Sequence, residues 1–263
     1  MRRSSWFNSA VAWAVYALLY APIAIVVVFS FNAARAGMEW QGATLDWYRR
    51  LFVNEQVQSA LKVSLIVAVT STAMAAVLGT TLALALEKHM RRGREWVNGL
   101  LAVPVFVPDI VLAVALLLFF GLMRDWFKVF ELGLTTIIAG HVTFQIPFVA
   151  MVVRARLAGM DPALDEAARD LGATSWQVFR HVTLPLLMPG IVAGAMLAFT
   201  LSLDDFVVSF FSGGPGSTTL PVYIYSSVKR GVTPEIHALS TLLMAVSVIA
   251  TVVAMMLQRR DVR

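Results

Sequence analysis

The 263-residue chain has no cysteine, little charge and no phosphate-binding loop, and each absence removes a class of function. Without cysteine there is no disulfide framework, thiolate metal site or cysteine nucleophile, and the redox compartment stays undecided. Charged residues make up 14% of the chain against 59% hydrophobic residues, well outside the averages of water-soluble domains. An ordinary soluble domain is therefore excluded. No G-x-x-x-x-G-K-[ST] segment occurs, so ATP hydrolysis by that chemistry must lie in another chain. Fixed-period repeats and low-complexity tracts are also missing, which removes solenoids and disordered tails.

What the chain does have is a series of long apolar runs. A helical bilayer crossing takes roughly 20 apolar residues. Runs of that length are found at 10–31, 62–86, 98–122, 132–153, 184–211 and 236–257. They predict an all-α integral membrane protein of six spans. The longest segments between them are about 30 residues, too short for a separate soluble domain. Residues 1–263 are accordingly expected to form a single transmembrane domain. The first run is too long for the apolar core of a signal peptide and is expected to remain as a span.

Basic residues give the orientation. Assigned to alternate sides of six spans, Lys and Arg divide 13 to 8, and the richer side faces the cytoplasm. Both termini are then cytoplasmic. The formal charge of +5 follows from that topology, and a nucleic-acid partner is not expected.

The inward stretch 154–183 carries the densest local signals. Asp161-Pro162 opens a short helix with Asp165 and Glu166 in its first turn, Gly172 closes it, and Thr174-Ser175-Trp176-Gln177 has the form of a capping box that begins a second short helix through Val178, Phe179 and Val182, before Leu184-Pro185. A helix-turn-helix of this shape can bind DNA. Here, however, four acids balance four arginines, so the basic face that phosphate neutralisation needs is missing. Trp176, Phe179 and the small pair Ala167-Ala168 instead predict a surface for docking a protein partner.

Glu166-Ala167-Ala168, Gly172 six positions after Glu166, and Val182-Thr183-Leu184-Pro185 after nine more residues resemble the EAA loop of bacterial ABC importer permeases. Val182 stands where that pattern usually has isoleucine. Phe29-Ser30-Phe31-Asn32, Trp47-Tyr48, Pro108-Asp109-Ile110, His141-Val142-Thr143-Phe144 and Phe199 to Asp205 followed by Gly214-Pro215-Gly216 extend the likeness over nearly the whole chain. Together they are similar to spermidine/putrescine permeases of the PotC and PotI type. The resemblance implies a type I importer (MetI-like) fold in the bacterial inner membrane. It also implies a second homologous permease, a cytoplasmic ABC ATPase dimer, a periplasmic substrate-binding protein and a polyamine substrate. On this reading the subunit is not an enzyme and carries neither metal nor cofactor. Asp165, Glu166, Ala167, Ala168 and Gly172 couple it to the ATPase.

Acids within the spans are costly and are functional by default. Asp109 falls near the middle of the third expected span, and Asp204 and Asp205 in the outer part of the fifth. At about 1.5 Å per residue, Asp109 lies roughly 18 Å and Asp204 roughly 30 Å from the cytoplasmic helix ends, a separation suited to an extended cation. The family pattern favours Asp204 as the path residue, with Asp205 packing against another subunit or accepting backbone donors. Among Trp40, Trp47 and Tyr48, the resemblance selects Trp47 to receive an ammonium on its ring face. His141 and His237 are read as hydrogen-bonded packing residues, and Gly213 to Gly216 as a turn. Three other readings stay open: a permease for another small cationic or amino-acid-like solute, an intramembrane aspartyl protease using Asp109 and Asp204, and an ion-coupled carrier.

Overall fold

A computed structural model describes residues 3–34, 39–89, 92–127 and 131–258. Of the basic residues used for orientation, Arg2, Arg35, Arg91, Lys128, Arg259, Arg260 and Arg263 lie outside the described residues. The long helices are α1 Arg3–Phe29, α3 Glu55–Leu84, α5 Asp109–Phe127, α6 Leu134–Ala158, α9 Leu184–Asp204 and α12 Pro234–Gln258. Shorter ones are α2 Asp46–Val53, α4 Arg94–Phe106, α7 Ala163–Asp170, α8 Ser175–Val178, α10 Val207–Ser212 and α11 Leu220–Arg230.

Five helical stretches among the described residues are long and apolar enough to cross a membrane: Asn8–Phe29, Glu55–Glu87, Asp109–Phe127, Leu134–Ala158 and Ser175–Asp204. A shorter apolar helix covers Pro234–Ile249. Each expected span thus has a helical counterpart, the sixth over a shorter described stretch.

Three boundaries differ from expectation, each for a local reason. The third expected span is interrupted: α4 ends at Phe106, Val107 is extended at φ −78° and ψ 134°, and α5 starts at Asp109. Pro108 explains the break, because it excludes helical geometry at the residue before it and has no N–H to donate. Asp109 therefore opens a helix, and the rise counted along one unbroken helix does not apply to it. The fourth span runs on to Ala158, so Arg154 and Arg156 belong to its last turns and not to a loop. The fifth stops at Asp204, with Asp205 extended at ψ 121°.

The chain divides into two compact units, 1–58 with 224–263, and 59–223. In the first, α12 packs on α1 and α2. The candidate span in α1 buries none of its apolar window, as expected of a helix that is apolar all round and faces lipid or another chain. In the second unit α6 is the central helix, with 56% of its window buried. Small residues let its neighbours approach closely: Ala75 and Ala83 of α3 and Ala198 of α9 pack with Val149, Ala150 and Val153 of α6. A Cβ at Gly79 would stand 2.8 Å from that of Val149. Such close backbone approach is how helices associate where no hydrophobic driving force operates.

Candidate functional site

The loop 154–183 includes the Asp161 carboxylate accepting the Ala163 N–H at 2.9 Å, which caps α7. The helix ends in a Schellman motif: Gly172 adopts φ +84°, its N–H reaches the Arg169 carbonyl at 2.9 Å, and the Ala173 N–H reaches that of Ala168 at 3.1 Å. Only glycine enters this conformation without strain. The Thr174–Gln177 capping box then forms as the sequence predicts. The segment it starts is not a separate short helix, however. α8 passes through a π-turn at Phe179–Thr183 directly into α9, giving one apolar helical stretch, Ser175–Asp204. Thr183, buried in this turn, donates from Oγ1 to Asp165 Oδ1 at 3.1 Å, so the loop helix is tied to the base of the span.

Glu166 and Ala167 face outward from α7. Beside them a concave groove of about 400 Å³ is lined by Ala168, Leu171, Gly172, Gln177, Val178 and His181. Leu164, Leu171 and Trp176 are 46, 89 and 65% exposed, which leaves apolar surface on the polar side of the loop. Nearby, Glu87 accepts from Arg154 Nε at 2.8 Å and from Arg94 Nη2 at 2.7 Å. Arg154 also donates to Asn98 at 2.8 Å. This cluster ties the C-terminal ends of α3 and α6 to the start of α4.

The three membrane acids differ in environment. Asp109, in the first turn of α5, and Asp204, the last residue of α9, are both exposed. Among the described residues neither has a hydrogen-bond or ion-pair partner, and they are not joined as a carboxylate pair. Asp205 is engaged on all sides: its Oδ1 accepts the Val208 N–H at 3.2 Å and its Oδ2 the Ser209 N–H at 2.8 Å. It thereby satisfies donors that the start of α10 would leave unpaired. His141 Nε2 lies 3.2 Å from Oδ2. The expectation that Asp205 accepts backbone donors matches this geometry.

His141 is fully buried. Its Nδ1 meets Ser202 Oγ at 2.7 Å, and its Nε2 is 3.1 Å from Ser209 Oγ. One helical turn further along α6, Gln145 Nε2 donates to Ser71 Oγ and to the Ala198 carbonyl, both at 3.1 Å. Sequence reading took His141 as a packing residue but missed the partners. The signal was present in the i, i+4 spacing of His141 and Gln145, which puts two polar groups on one face of an apolar helix.

Between α1 and α3, Trp47 is buried, and its indole N–H donates to the Asn32 carbonyl at 2.8 Å. The Arg50 guanidinium carbon stands 5.0 Å from the ring centroid, a cation already seated on the aromatic face. Tyr48 shares a 2.7 Å hydrogen bond with Ser30. Trp40 is half exposed and packs edge-on against Phe29. Gly213 to Gly216 form the expected turn, closed by Ser217 Oγ accepting the Gly214 N–H at 2.8 Å.

Residues 75–261 match the family described as "Binding-protein-dependent transport system inner membrane component". The spermidine/putrescine transport system permease protein PotC of Escherichia coli K12 is 43% identical over 246 residues, covering 94% of this chain and 91% of that one. The putrescine transport system permease protein PotI of the same organism is 40% identical over 249 residues, covering 93% and 88%. Among solved structures, a chain of a bacterial ABC transporter that imports the acidic polysaccharide alginate superposes with a TM-score of 0.72 at 22% identity, covering 98% and 99% of the two chains. That likeness carries the fold alone. The chain is thus a multi-pass, non-catalytic permease subunit and belongs to the inner-membrane components of binding-protein-dependent ABC importers.

Proposed function

We propose that this subunit imports polyamines, putrescine or spermidine, through a path shared with a second homologous permease. A periplasmic binding protein delivers the solute and a dimer of cytoplasmic ABC ATPases supplies the motion. Residues 1–263 act as one transmembrane domain, both termini are cytoplasmic, and the loop 154–183 is the coupling element. α7 seats on the ATPase through Asp165, Glu166, Ala167 and Ala168, with Gly172 setting its end, and nucleotide-driven closure moves α7 with the attached span as a rigid body. Solute passes Trp47, Asp109 and Asp204, and Asp205 supports the path.

The observation that carries this reading is two exposed carboxylates, Asp109 and Asp204, whose side chains have no partner among the described residues, in a chain 43% identical to a spermidine/putrescine permease. Unpaired acids in spans face a cavity or a substrate, and two of them suit a solute with separated ammonium groups. Trp47 contributes its ring face if Arg50 leaves it.

In reconstituted complex, Asp109→Asn and Asp204→Asn are each expected to lower polyamine uptake at least tenfold, the scale of a lost charge-assisted bond. Unchanged uptake by a normally assembled complex overturns the acidic path. An aspartyl protease is disfavoured because Asp109 and Asp204 are not joined as a carboxylate pair among the described residues. Co-purification with an ATPase separates the importer from an ion-coupled carrier.

A further inference from the structure

We propose that His141 sets the direction in which Asp204 points, and that Asp205 serves the path through this histidine instead of touching solute. The inference rests on the assignment of Asp204 to the path.

The tautomer follows from the partners. A carboxylate only accepts, so the ring proton facing Asp205 sits on Nε2. In that tautomer Ser202 Oγ, 2.7 Å from Nδ1, donates to the ring. Gln145 donates to Ser71 at 3.1 Å, and Ser71 Oγ lies 3.5 Å from Ser202 Oγ. The result is a polarised series of contacts that starts on α6, crosses α3 and α9, returns to α6 at His141 and ends on Asp205.

His141 thus holds the chain on both sides of Asp204, at Ser202 before it and at Asp205 after it. Those two positions are three apart and share one helix face. Asp204 lies about 200° around the helix from Ser202. Pinning 202 and 205 against α6 therefore turns 204 away from the protein, as its exposure shows. The break after Asp204 makes this support necessary, since the end of α9 has no following helical turn to hold it. Asp205 is in no position to bind solute: its oxygens already accept two backbone N–H groups and the ring, and its side chain is only 11% exposed.

The lack of cysteine provides the test. Asp204→Cys introduces the only thiol of the subunit, and its reaction with a cationic methanethiosulfonate is followed in the assembled transporter. Adding His141→Leu is expected to slow labelling about tenfold, the factor one buried hydrogen bond to a charged group carries. His141→Gln, whose amide N–H replaces the Nε2 donor and whose oxygen replaces the Nδ1 acceptor for Ser202, is expected to label at the parent rate. A parent rate in His141→Leu, or a rate in His141→Gln as low as in His141→Leu, overturns the proposal. If His141→Leu does not assemble, Ser202→Ala and Asp205→Asn each release one end of the bracket. Slower labelling in both supports the proposal, and a parent rate in either overturns it. The path assignment is read separately from uptake by Asp204→Asn: normal uptake together with slowed labelling in His141→Leu removes Asp204 from the path and leaves the bracket standing.

Discussion

Asp204 and Asp205 are adjacent in the chain and opposite in environment, and that contrast decides what each substitution does. The Asp205 carboxylate replaces the missing helical partners of the Val208 and Ser209 N–H groups and receives the His141 ring. An amide in its place has one acceptor oxygen and presents N–H groups to donors. Asp205→Asn should therefore cost about 2 kcal/mol of stability, seen as a lower thermal unfolding midpoint of the purified complex. Asp204→Asn, with no partner among the described residues, should leave that midpoint nearly unchanged while lowering uptake. Hydropathy alone makes both acids conspicuous, because any charge in an apolar run stands out. It could not say which was free, since the distinction is made by His141, on another helix and 64 positions before Asp205 in sequence. Trp47 was equally visible as an aromatic residue near a span, yet its bond to the Asn32 carbonyl, 15 positions away in sequence, and its contact with Arg50 are set by tertiary placement.

At the scale of helices, local signals were read well where they are local. Gly172, the Thr174–Gln177 box and the Gly213–Gly216 turn each depend on a few neighbouring residues and were legible. The continuation of α8 into α9 was not. Leu184-Pro185 reads as a stop, but proline at the second position of α9 follows a π-turn, where the local widening accommodates it. The consequence is mechanical. α7 joins a helical stretch that runs uninterrupted to Asp204, and the Thr183–Asp165 bond is one of the ties between them. On the proposed coupling, a push on α7 reaches the Asp204 end of α9 through the Gly172 turn and the Thr183–Asp165 bond. Thr183→Val keeps the shape of this buried residue and removes the donor. It should leave the ATPase bound and hydrolysing while solute moved per ATP falls about threefold to tenfold, within the range of coupling energies measured for such networks. Thr183→Ser should retain the parent ratio. Parent stoichiometry in Thr183→Val would show that motion enters α9 by another route.

For the whole molecule, the apolar surface divides by its solvent. α1 buries none of its span window, and lipid or a second permease covers such a surface at no cost, because hydrocarbon is its natural surroundings. The general plan was legible for this reason: the bilayer imposes length and apolarity on each crossing, and both can be counted from sequence. The interruptions at Pro108 and Asp205 were harder to see because each hides within an otherwise apolar run. Leu164, Leu171 and Trp176 are a different case. They are exposed on the loop that carries Glu166, among the acids Asp161, Asp165 and Asp170 and the basic Arg169 and Arg180, a polar setting that does not suit lipid, and this chain does not cover them. On the proposed function the ATPase covers them, and the groove beside them has room for its side chains. Leu171→Ala and Trp176→Ala should each weaken ATPase binding by about 2 kcal/mol, roughly thirtyfold, measured by co-purification across an ATPase titration. Membrane insertion and thermal stability of the permease should be unaffected, since neither side chain is buried in the subunit. Full ATPase retention in the double variant would place the coupling contact elsewhere on the inner face.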